Sequence, residues 1–268
     1  MSTNRIDNAF VKLSADGKRA FIPYIAAGDP TLDVTAELVL AFAEAGCDIV
    51  ELGIPFSDPI ADGPSVQRAT ERALSSGTTV EGILRTVENI RAVSDVPLAF
   101  MTYYNPIFYY GVHEFCVAAK QAGVDGFIVP DLAVEEADEL LPSAREQDIA
   151  TIFLVAPTST AERMHRIAEL SRGFIYAVSL MGVTGARRVM SDDLPPLMTR
   201  MRACTDKPVC VGFGINDPAH ARAVAEISDG VIVGSAIVNT IEAHVGQSKL
   251  VAATQAFVRE LVDAVKSV

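Results

Sequence analysis

The feature that most constrains the fold is an eightfold alternation of short apolar segments with longer segments of helical periodicity. The apolar segments are AFIPYIA from Ala20, DIVELGI from Asp48, PLAFMTY from Pro97, GFIVP from Gly126, ATIFLVA from Ala150, GFIYAVS from Gly173, PVCVGFG from Pro208 and DGVIVGS from Asp229. This alternation predicts βαβ units and a parallel sheet. Eight units in 268 residues, with no flexible linker between them, predict a single (β/α)8 TIM barrel over residues 1–268. An open doubly wound sheet is the alternative, although such sheets more often have fewer strands.

Local signals mark some of the helices independently of the strands. The segment DPTLDVTAELVLAFAEAG predicts a helix with Asp29 as its cap, Pro30 in the first turn and a glycine after the last turn. A different glycine pattern, GFGIND from Gly212, partly matches a dinucleotide-binding fingerprint. Asp217 replaces its third glycine and it follows the seventh predicted strand, so it is weak support for the open-sheet alternative.

Composition excludes several classes of protein. The formal net charge of −12 and the isoelectric point near 4.8 argue against nucleic-acid binding, which needs clustered Lys and Arg. The four cysteines include no C-x-x-C pair, which indicates reduced thiols. Neither a signal-peptide core nor an apolar stretch approaching the roughly 20 residues that span a bilayer is found. We therefore expect a cytoplasmic protein that is not inserted in a membrane.

An acidic, proline-rich segment follows the second predicted strand. ELGIPFSDPIADGPSVQ carries Glu51, Asp58 and Asp62 together with three prolines. In a barrel this segment lies at the C-terminal ends of the strands, where the chemistry of such enzymes is found. A carboxylate on an apolar strand loses hydration, which raises its pKa toward the range useful for proton transfer. The alternatives are that Glu51 accepts hydrogen bonds from its own loop, and that the two aspartates stabilise turns.

Other kinds of chemistry find little support. None of the six lysines lies at the C-terminal end of a predicted strand, which argues against a Schiff-base nucleophile. The four histidines are far apart and lack metal-ligand spacing, so we expect no metal site. Neither a nucleophile elbow nor a P-loop is found. Acid/base catalysis by carboxylates without a cofactor is the remaining interpretation.

The last three strand-to-helix connections are rich in glycine. They contain Gly182 and Gly185, then Gly212 and Gly214, then Gly234 followed by Ser235. Glycine lets backbone amides approach an anion, and the loops after strands seven and eight of barrels recurrently bind phosphate. The alternative is that these glycines only permit tight turns. Among the aromatic residues, those at the tops of strands are candidates to contact a planar apolar ligand: Tyr24, Tyr104 and Tyr176.

Several of these motifs together resemble a known family. ELGIPFSDPIADGP resembles the signature of the tryptophan synthase alpha chain family, and PYIAAGDP, GVDGFIVPDL, GVTGAR, GFGI and VGSAIV occur in the family's order. The resemblance covers nearly the whole chain. It implies a barrel with an extra N-terminal helix and the retro-aldol cleavage of indole-3-glycerol phosphate to indole and glyceraldehyde 3-phosphate.

The resemblance also assigns roles to individual residues. It implies that Glu51 transfers protons and that Asp62 hydrogen-bonds the indole N–H. Tyr176 matches a family tyrosine near these groups, and Tyr24 replaces a phenylalanine that contacts the indole in enteric members. The family's phosphate site is matched by Gly185, Gly214, Gly234 and Ser235. Thr184 matches a mobile-loop residue that orders against Asp62, and Asp58 matches a residue of the partner interface.

The partner that the resemblance implies is a tryptophan synthase beta chain, which carries pyridoxal phosphate and consumes indole in an alpha-beta-beta-alpha complex. No cofactor is then expected in this chain. Three other hypotheses stay open: a mainly regulatory subunit, a free-standing indole-releasing lyase, and a different phosphate-binding barrel enzyme such as a sugar-phosphate isomerase or epimerase.

Overall fold

The strands form one parallel sheet. The computed structural model describes residues 4–178, 192–212 and 214–268. Within these ranges the strands are β1 (Ala20–Ala26), β2 (Val50–Gly53), β3 (Leu98–Met101), β4 (Gly126–Ile128), β5 (Ala150–Ile152), β6 (Leu154–Val155), β7 (Ile175–Val178), β8 (Val209–Gly212) and β9 (Gly230–Val233). Their order in the sheet is β5-β4-β3-β2-β1-β9-β8-β7-β6.

The two ends of that order are adjacent in the chain, which closes the sheet. The strands β5 and β6 are two parts of the fifth predicted strand and are separated only by Phe153. The carbonyl oxygen of Phe153 accepts a hydrogen bond of 3.0 Å from the amide of Tyr176 on β7. Because one residue joins the first and last strands of the order, the sheet is a barrel. The predicted (β/α)8 fold is confirmed, and the open-sheet alternative is wrong.

Helices surround the barrel and connect its strands. Within the described ranges they are α1 (Arg5–Ala15), α2 (Leu32–Ala45), α3 (Pro64–Ser75), α4 (Val80–Arg91), α5 (Tyr104–Tyr110), α6 (Val112–Ala122), α7 (Leu140–Glu146), α8 (Ala161–Leu170), α9 (Leu194–Arg202), α10 (Pro218–Ala225), α11 (Ser235–His244) and α12 (Leu250–Lys266). None of these helices is both long and apolar enough to cross a bilayer.

The extra N-terminal helix that the resemblance implied is α1, which covers the N-terminal end of the barrel. Ile6 packs so closely on Gly126 and Gly173 that a Cβ at either glycine would lie within 3.0 Å of it. The rings of Phe10 and Phe174 are 5.7 Å apart. The side chain of Asn4 caps α1 by accepting from the amide of Ile6. With this end covered by α1, the opposite, C-terminal end of the strands is left for the site.

Alternation along the strands decides which side chains enter the barrel. On β1, Phe21 and Ile25 pack with the surrounding helices, whereas Ile22 and Tyr24 belong to the interior. Because Tyr24 pairs with Glu51 in the register of β1 and β2, Glu51 also enters the barrel. The interior therefore contains a carboxylate at the level of a tyrosine, near the C-terminal ends of these strands.

The start of α2 differs from the sequence prediction. The helix begins at Leu32, and the hydroxyl of Thr31 caps it by accepting from the amide of Val34 at 3.3 Å. Asp29 is instead 1% exposed and accepts two hydrogen bonds of 2.8 Å from the guanidinium of Arg72 on α3. The predicted Asp29 cap is wrong because this carboxylate has a charged partner 43 residues away. The glycine predicted after the last turn is Gly46, with φ of +97°.

Candidate active site

Glu51 is a buried carboxylic acid that has no hydrogen-bond partner among the described residues. Its side chain lies on β2 between Tyr24 of β1 and Ala99 of β3, and the residue is 0% exposed. Within the described residues, neither carboxyl oxygen has a hydrogen-bonding partner. An unpaired charge in such surroundings is unfavourable, so burial raises the pKa of Glu51 to about 8. The group therefore carries a proton at neutral pH and is able to act as an acid.

Asp62 lies in the acidic loop between β2 and α3. Pro64 opens α3 with Gly63 as its N-cap, so Asp62 is held just before the helix start. The loop turns through hydrogen bonds from the amide of Asp62 to the carbonyl of Pro59 and from the amide of Ile60 to that of Asp58. Partial burial raises the pKa of Asp62, and a hydrogen-bonding interaction with Tyr103 opposes this rise.

Two tyrosine rings lie over glycines near these carboxyl groups. A Cβ placed on Gly53 would be 2.3 Å from the hydroxyl oxygen of Tyr24, and one placed on Gly212 would be 2.3 Å from that of Tyr176. Only glycine at positions 53 and 212 leaves room for the rings of Tyr24 and Tyr176. Burial raises the pKa of both tyrosines, with further contributions from Asp62 and then Glu51 for Tyr24, and from Glu51 first for Tyr176. Both phenols are neutral at physiological pH.

A cavity opens between the acidic loop and the last two strands. Its lining is mostly apolar, with Asp62 from the acidic loop and Ser235 from the start of α11 as polar residues. The lining residues are Tyr24, Ala61, Asp62, Gly63, Val66, Met101, Tyr176, Gly214, Ile215, Ile232, Gly234 and Ser235. Glu51 is beneath this surface, beside Tyr24. A ligand with an apolar ring and one charged group fits this lining.

Another part of the cavity lining is formed by glycines and by the first turn of helix α11. Helix α11 begins at Ser235 with Gly234 as its N-cap, and no side chain in the described part of the chain caps it. Its first amide groups and its positive dipole end therefore point to the cavity side where Gly234 and Ser235 line the wall. Gly214, with φ of +76°, adds a turn that favours glycine. Such an arrangement binds an anionic group such as phosphate.

The structure brings most of the predicted site residues together, with some exceptions. Glu51, Asp62, Tyr24, Tyr176, Gly214, Gly234 and Ser235 surround the cavity or lie directly beneath it. The predicted ligand contact Tyr104 does not join them, because its hydroxyl donates to Glu139 at 2.8 Å on the outer surface. Thr184 and Gly185 lie outside the described residues. Asp58 is an exposed residue of the acidic loop.

Sequence reasoning missed Tyr103. This residue is 5% exposed, and its hydroxyl accepts a hydrogen bond of 2.9 Å from the amide of Ala61 in the acidic loop. The segment MTYYNP at the end of the third strand contains two adjacent tyrosines. Either one was a reasonable candidate, because the chain leaves the strand at this point and alternation no longer fixes the side-chain direction. Among the described residues, no group of three His, Cys, Asp or Glu side chains is placed to hold a metal ion.

Comparisons with known proteins identify the family of the chain. A sequence profile of the family described as Tryptophan synthase alpha chain matches residues 10–266. The chain belongs to the tryptophan synthase alpha chain family. The activity of this family is the lyase cleavage of indole-3-glycerol phosphate, so the chain is an enzyme of tryptophan biosynthesis.

Individual relatives and solved structures are similar over nearly the full chain. The tryptophan synthase alpha chain of Thermoanaerobacter sp. strain X514 is 45% identical over 96% of this chain and 98% of its own length. That of Geotalea daltonii is 47% identical over 91% and 92%. The crystal structure of the alpha chain from Legionella pneumophila has a TM-score of 0.92 at 38% identity, covering 100% of this chain and 99% of its own. A Mycobacterium tuberculosis tryptophan synthase structure has a TM-score of 0.89 at 40% identity, covering 98% of both chains.

Proposed function

We propose that Glu51 and Asp62 carry out the chemistry by which this chain cleaves indole-3-glycerol phosphate. The bond from indole C3 to the adjacent glycerol carbon has to break. C3 gains a proton, the hydroxyl on that carbon loses one, and the carbon becomes the aldehyde of glyceraldehyde 3-phosphate. The electrons of the broken bond return to the indole ring. The observation that carries the proposal is Glu51, a fully buried acid with a pKa of about 8 and no described hydrogen-bond partner.

The protonation state of Glu51 suits both proton transfers. Because it holds a proton at neutral pH, it is able to donate to indole C3. The carboxylate so formed then removes the proton from the glycerol hydroxyl, which restores the acid. Since Glu51 lies beneath the cavity surface, its carboxyl group turns toward the substrate for these steps.

Asp62 has a different role, because it lies on the loop and lines the cavity. As a carboxylate it accepts a hydrogen bond from the indole N–H and stabilises the positive charge that appears on the ring nitrogen when C3 is protonated. The indole ring packs against apolar side chains of the cavity lining, namely Tyr24, Met101 and Ile232. These side chains exclude water from the charged intermediate, which strengthens its interaction with Asp62.

The phosphate binds at the start of α11. Backbone amides at Gly234 and Ser235, the Ser235 hydroxyl and the turn at Gly214 provide donors and a favourable dipole. Thr184 and Gly185 complete the site in this proposal on the strength of the sequence resemblance alone. The arrangement needs no lysine, so the acidity of the chain is no obstacle.

A substrate comparison tests this function against the other phosphate-binding barrel enzymes. The purified chain is incubated with indole-3-glycerol phosphate, and indole and glyceraldehyde 3-phosphate are quantified together. Parallel reactions contain a triose phosphate and a pentose phosphate. We expect indole and aldehyde in equal amounts and no isomerisation or epimerisation. Turnover of a sugar phosphate with no indole release would contradict the proposal.

We further propose that the chain docks on a tryptophan synthase beta chain that carries pyridoxal phosphate. Tyr109 is 91% exposed, Ile60 is 84% exposed and Phe108 is 63% exposed. Phe56 lines shallow grooves with both Ile60 and Tyr109, so these apolar groups share one surface beside Asp58. Exposed apolar side chains of this size in one region are typical of a protein interface.

Measuring the cleavage rate with and without a beta chain tests whether the two chains interact. It also distinguishes a free-standing lyase from a mainly regulatory subunit. A steep increase on addition of the beta chain is expected, and Tyr109→Arg should reduce the ratio of the two rates. The rate of each variant alone serves as its own reference. A fast rate that the beta chain leaves unchanged would identify a free-standing lyase. No cleavage alone, with full stimulation of the beta chain's own reaction, would identify a regulatory subunit.

A further inference from the structure

Tyr103 connects the third strand to the acidic loop. It follows β3 directly and is the N-cap residue of α5. Its hydroxyl oxygen accepts from the amide of Ala61 at 2.9 Å. Its ring lies 5.6 Å from that of Phe56, at the start of the same loop. One nearly buried side chain therefore contacts the loop at both ends of the segment that holds Asp58 and Pro59.

The hydrogen-bonding capacity of this hydroxyl determines what it does for Asp62. A phenol donates one hydrogen bond and accepts others through its oxygen. The oxygen of Tyr103 accepts from Ala61, which leaves its proton for the neighbouring Asp62 carboxylate. An ionised carboxylate only accepts hydrogen bonds, so Tyr103 is the donor of this pair. The interaction lowers the pKa of Asp62, and burial raises the pKa of Tyr103.

We propose that Tyr103 is a positioning residue for Asp62, fixing the acidic loop through Ala61 and orienting the carboxylate toward the indole nitrogen of the substrate. This inference rests on the proposed function of Asp62. Tyr103 lies outside the lining of the cavity and touches no substrate atom in this account. Its effect on the reaction passes through Asp62.

The groups around this pair set the expected pH dependence. Among the described residues, the titratable groups that face Asp62 besides Tyr103 are Tyr24 from β1 and Tyr176 from β7. Asp131, from the loop after β4, faces Tyr103, and Glu51 lies beside Tyr24. Without the Tyr103 hydroxyl, the negative charge of Asp62 loses its donor. The acidic limb of the activity profile should therefore move to higher pH.

The test uses Tyr103→Phe, which removes one oxygen and keeps the ring against Phe56. Tyr110→Phe, at the far end of α5, is the matched control. A hydrogen bond to a charged group corresponds to a roughly ten- to hundredfold effect, so we expect Tyr103→Phe to lose about that much in kcat/KM. Most of the loss should be in kcat, because binding of glycerol 3-phosphate at the α11 site does not involve Tyr103. The control should retain the wild-type rate.

A double variant separates positioning from a general structural effect. If Tyr103 acts through Asp62, adding Tyr103→Phe to Asp62→Asn should cause little further loss of activity. Losses that multiply, or equal rates for Tyr103→Phe and wild type with an unmoved acidic limb, would overturn the inference. Absence of indole release by the wild type would instead overturn the proposed function, and this inference with it.

Discussion

The free energy of unfolding of Glu51→Gln should increase relative to that of the wild type as the pH rises. Burial raises the pKa of Glu51 from an ordinary value of 4.5 to about 8. Between these two values the unfolded chain has released the Glu51 proton while the folded chain retains it. Since the folded state binds more protons in this window, the free energy of unfolding of the wild type falls as pH rises. Below pH 4.5 both states hold the proton and the contribution disappears.

The size of this effect follows from the width of the window. Each unit of pKa difference corresponds to about 1.4 kcal/mol, so between pH 5 and pH 8 the wild type should lose ~3 kcal/mol relative to Glu51→Gln. All other titrating groups are shared by the two proteins, so their contributions cancel in the difference. If the amide introduced by Glu51→Gln packs differently from the Glu51 carboxyl group, it adds a constant to the difference in unfolding free energy. Such a constant does not change how this difference depends on pH.

Equilibrium urea unfolding at pH 5, 6, 7 and 8, followed by far-ultraviolet circular dichroism, measures the difference. Glu88→Gln makes the same chemical change on an exposed glutamate of α4 and is the control. Its stability should follow that of the wild type at every pH. A difference between Glu51→Gln and wild type that stays constant from pH 5 to pH 8 would refute the argument that burial keeps Glu51 protonated.

Three further changes test other parts of the site. Gly53→Ala should displace the Tyr24 ring, lowering cleavage and costing roughly 1–3 kcal/mol in chemical unfolding; full activity would show that the Tyr24 position is unimportant. Gly234→Asp places a negative charge at the start of α11, so KM for indole-3-glycerol phosphate should rise at least tenfold in steady-state kinetics; an unchanged KM would count against this phosphate site. Arg72→Met leaves the buried Asp29 carboxylate unpaired and should cost about 3–5 kcal/mol in urea unfolding, whereas a cost below about 1 kcal/mol would mean that Asp29 is readily neutralised.

Much of the fold was predictable because its signals are local. The eight apolar segments identified every strand, and the order of strand and helix predicted the barrel. The interruption at Phe153, which divides one segment into β5 and β6, was not predictable, since ATIFLVA contains no glycine, proline or charged residue that would mark a break. The Asp29 cap failed for a different reason: its partner Arg72 is 43 residues away, and no local pattern reveals such a pair.

The site was predictable to the extent that strand geometry positions it. Glu51 lies on a strand, so alternation and the barrel together place it inside. Tyr103 and Tyr104 lie where β3 has ended, and only the path of the backbone into α5 decides that one faces the acidic loop and the other faces Glu139. Residue type and position in the sequence do not contain that information.

The most direct test of the account is indole release from indole-3-glycerol phosphate by the wild type and by Glu51→Gln, with substrate affinity measured for both. A lost general acid or base lowers turnover by roughly two to four orders of magnitude, and the account predicts a loss of this size with affinity nearly unchanged. Turnover by Glu51→Gln at the wild-type rate would remove Glu51 from the mechanism and contradict the account.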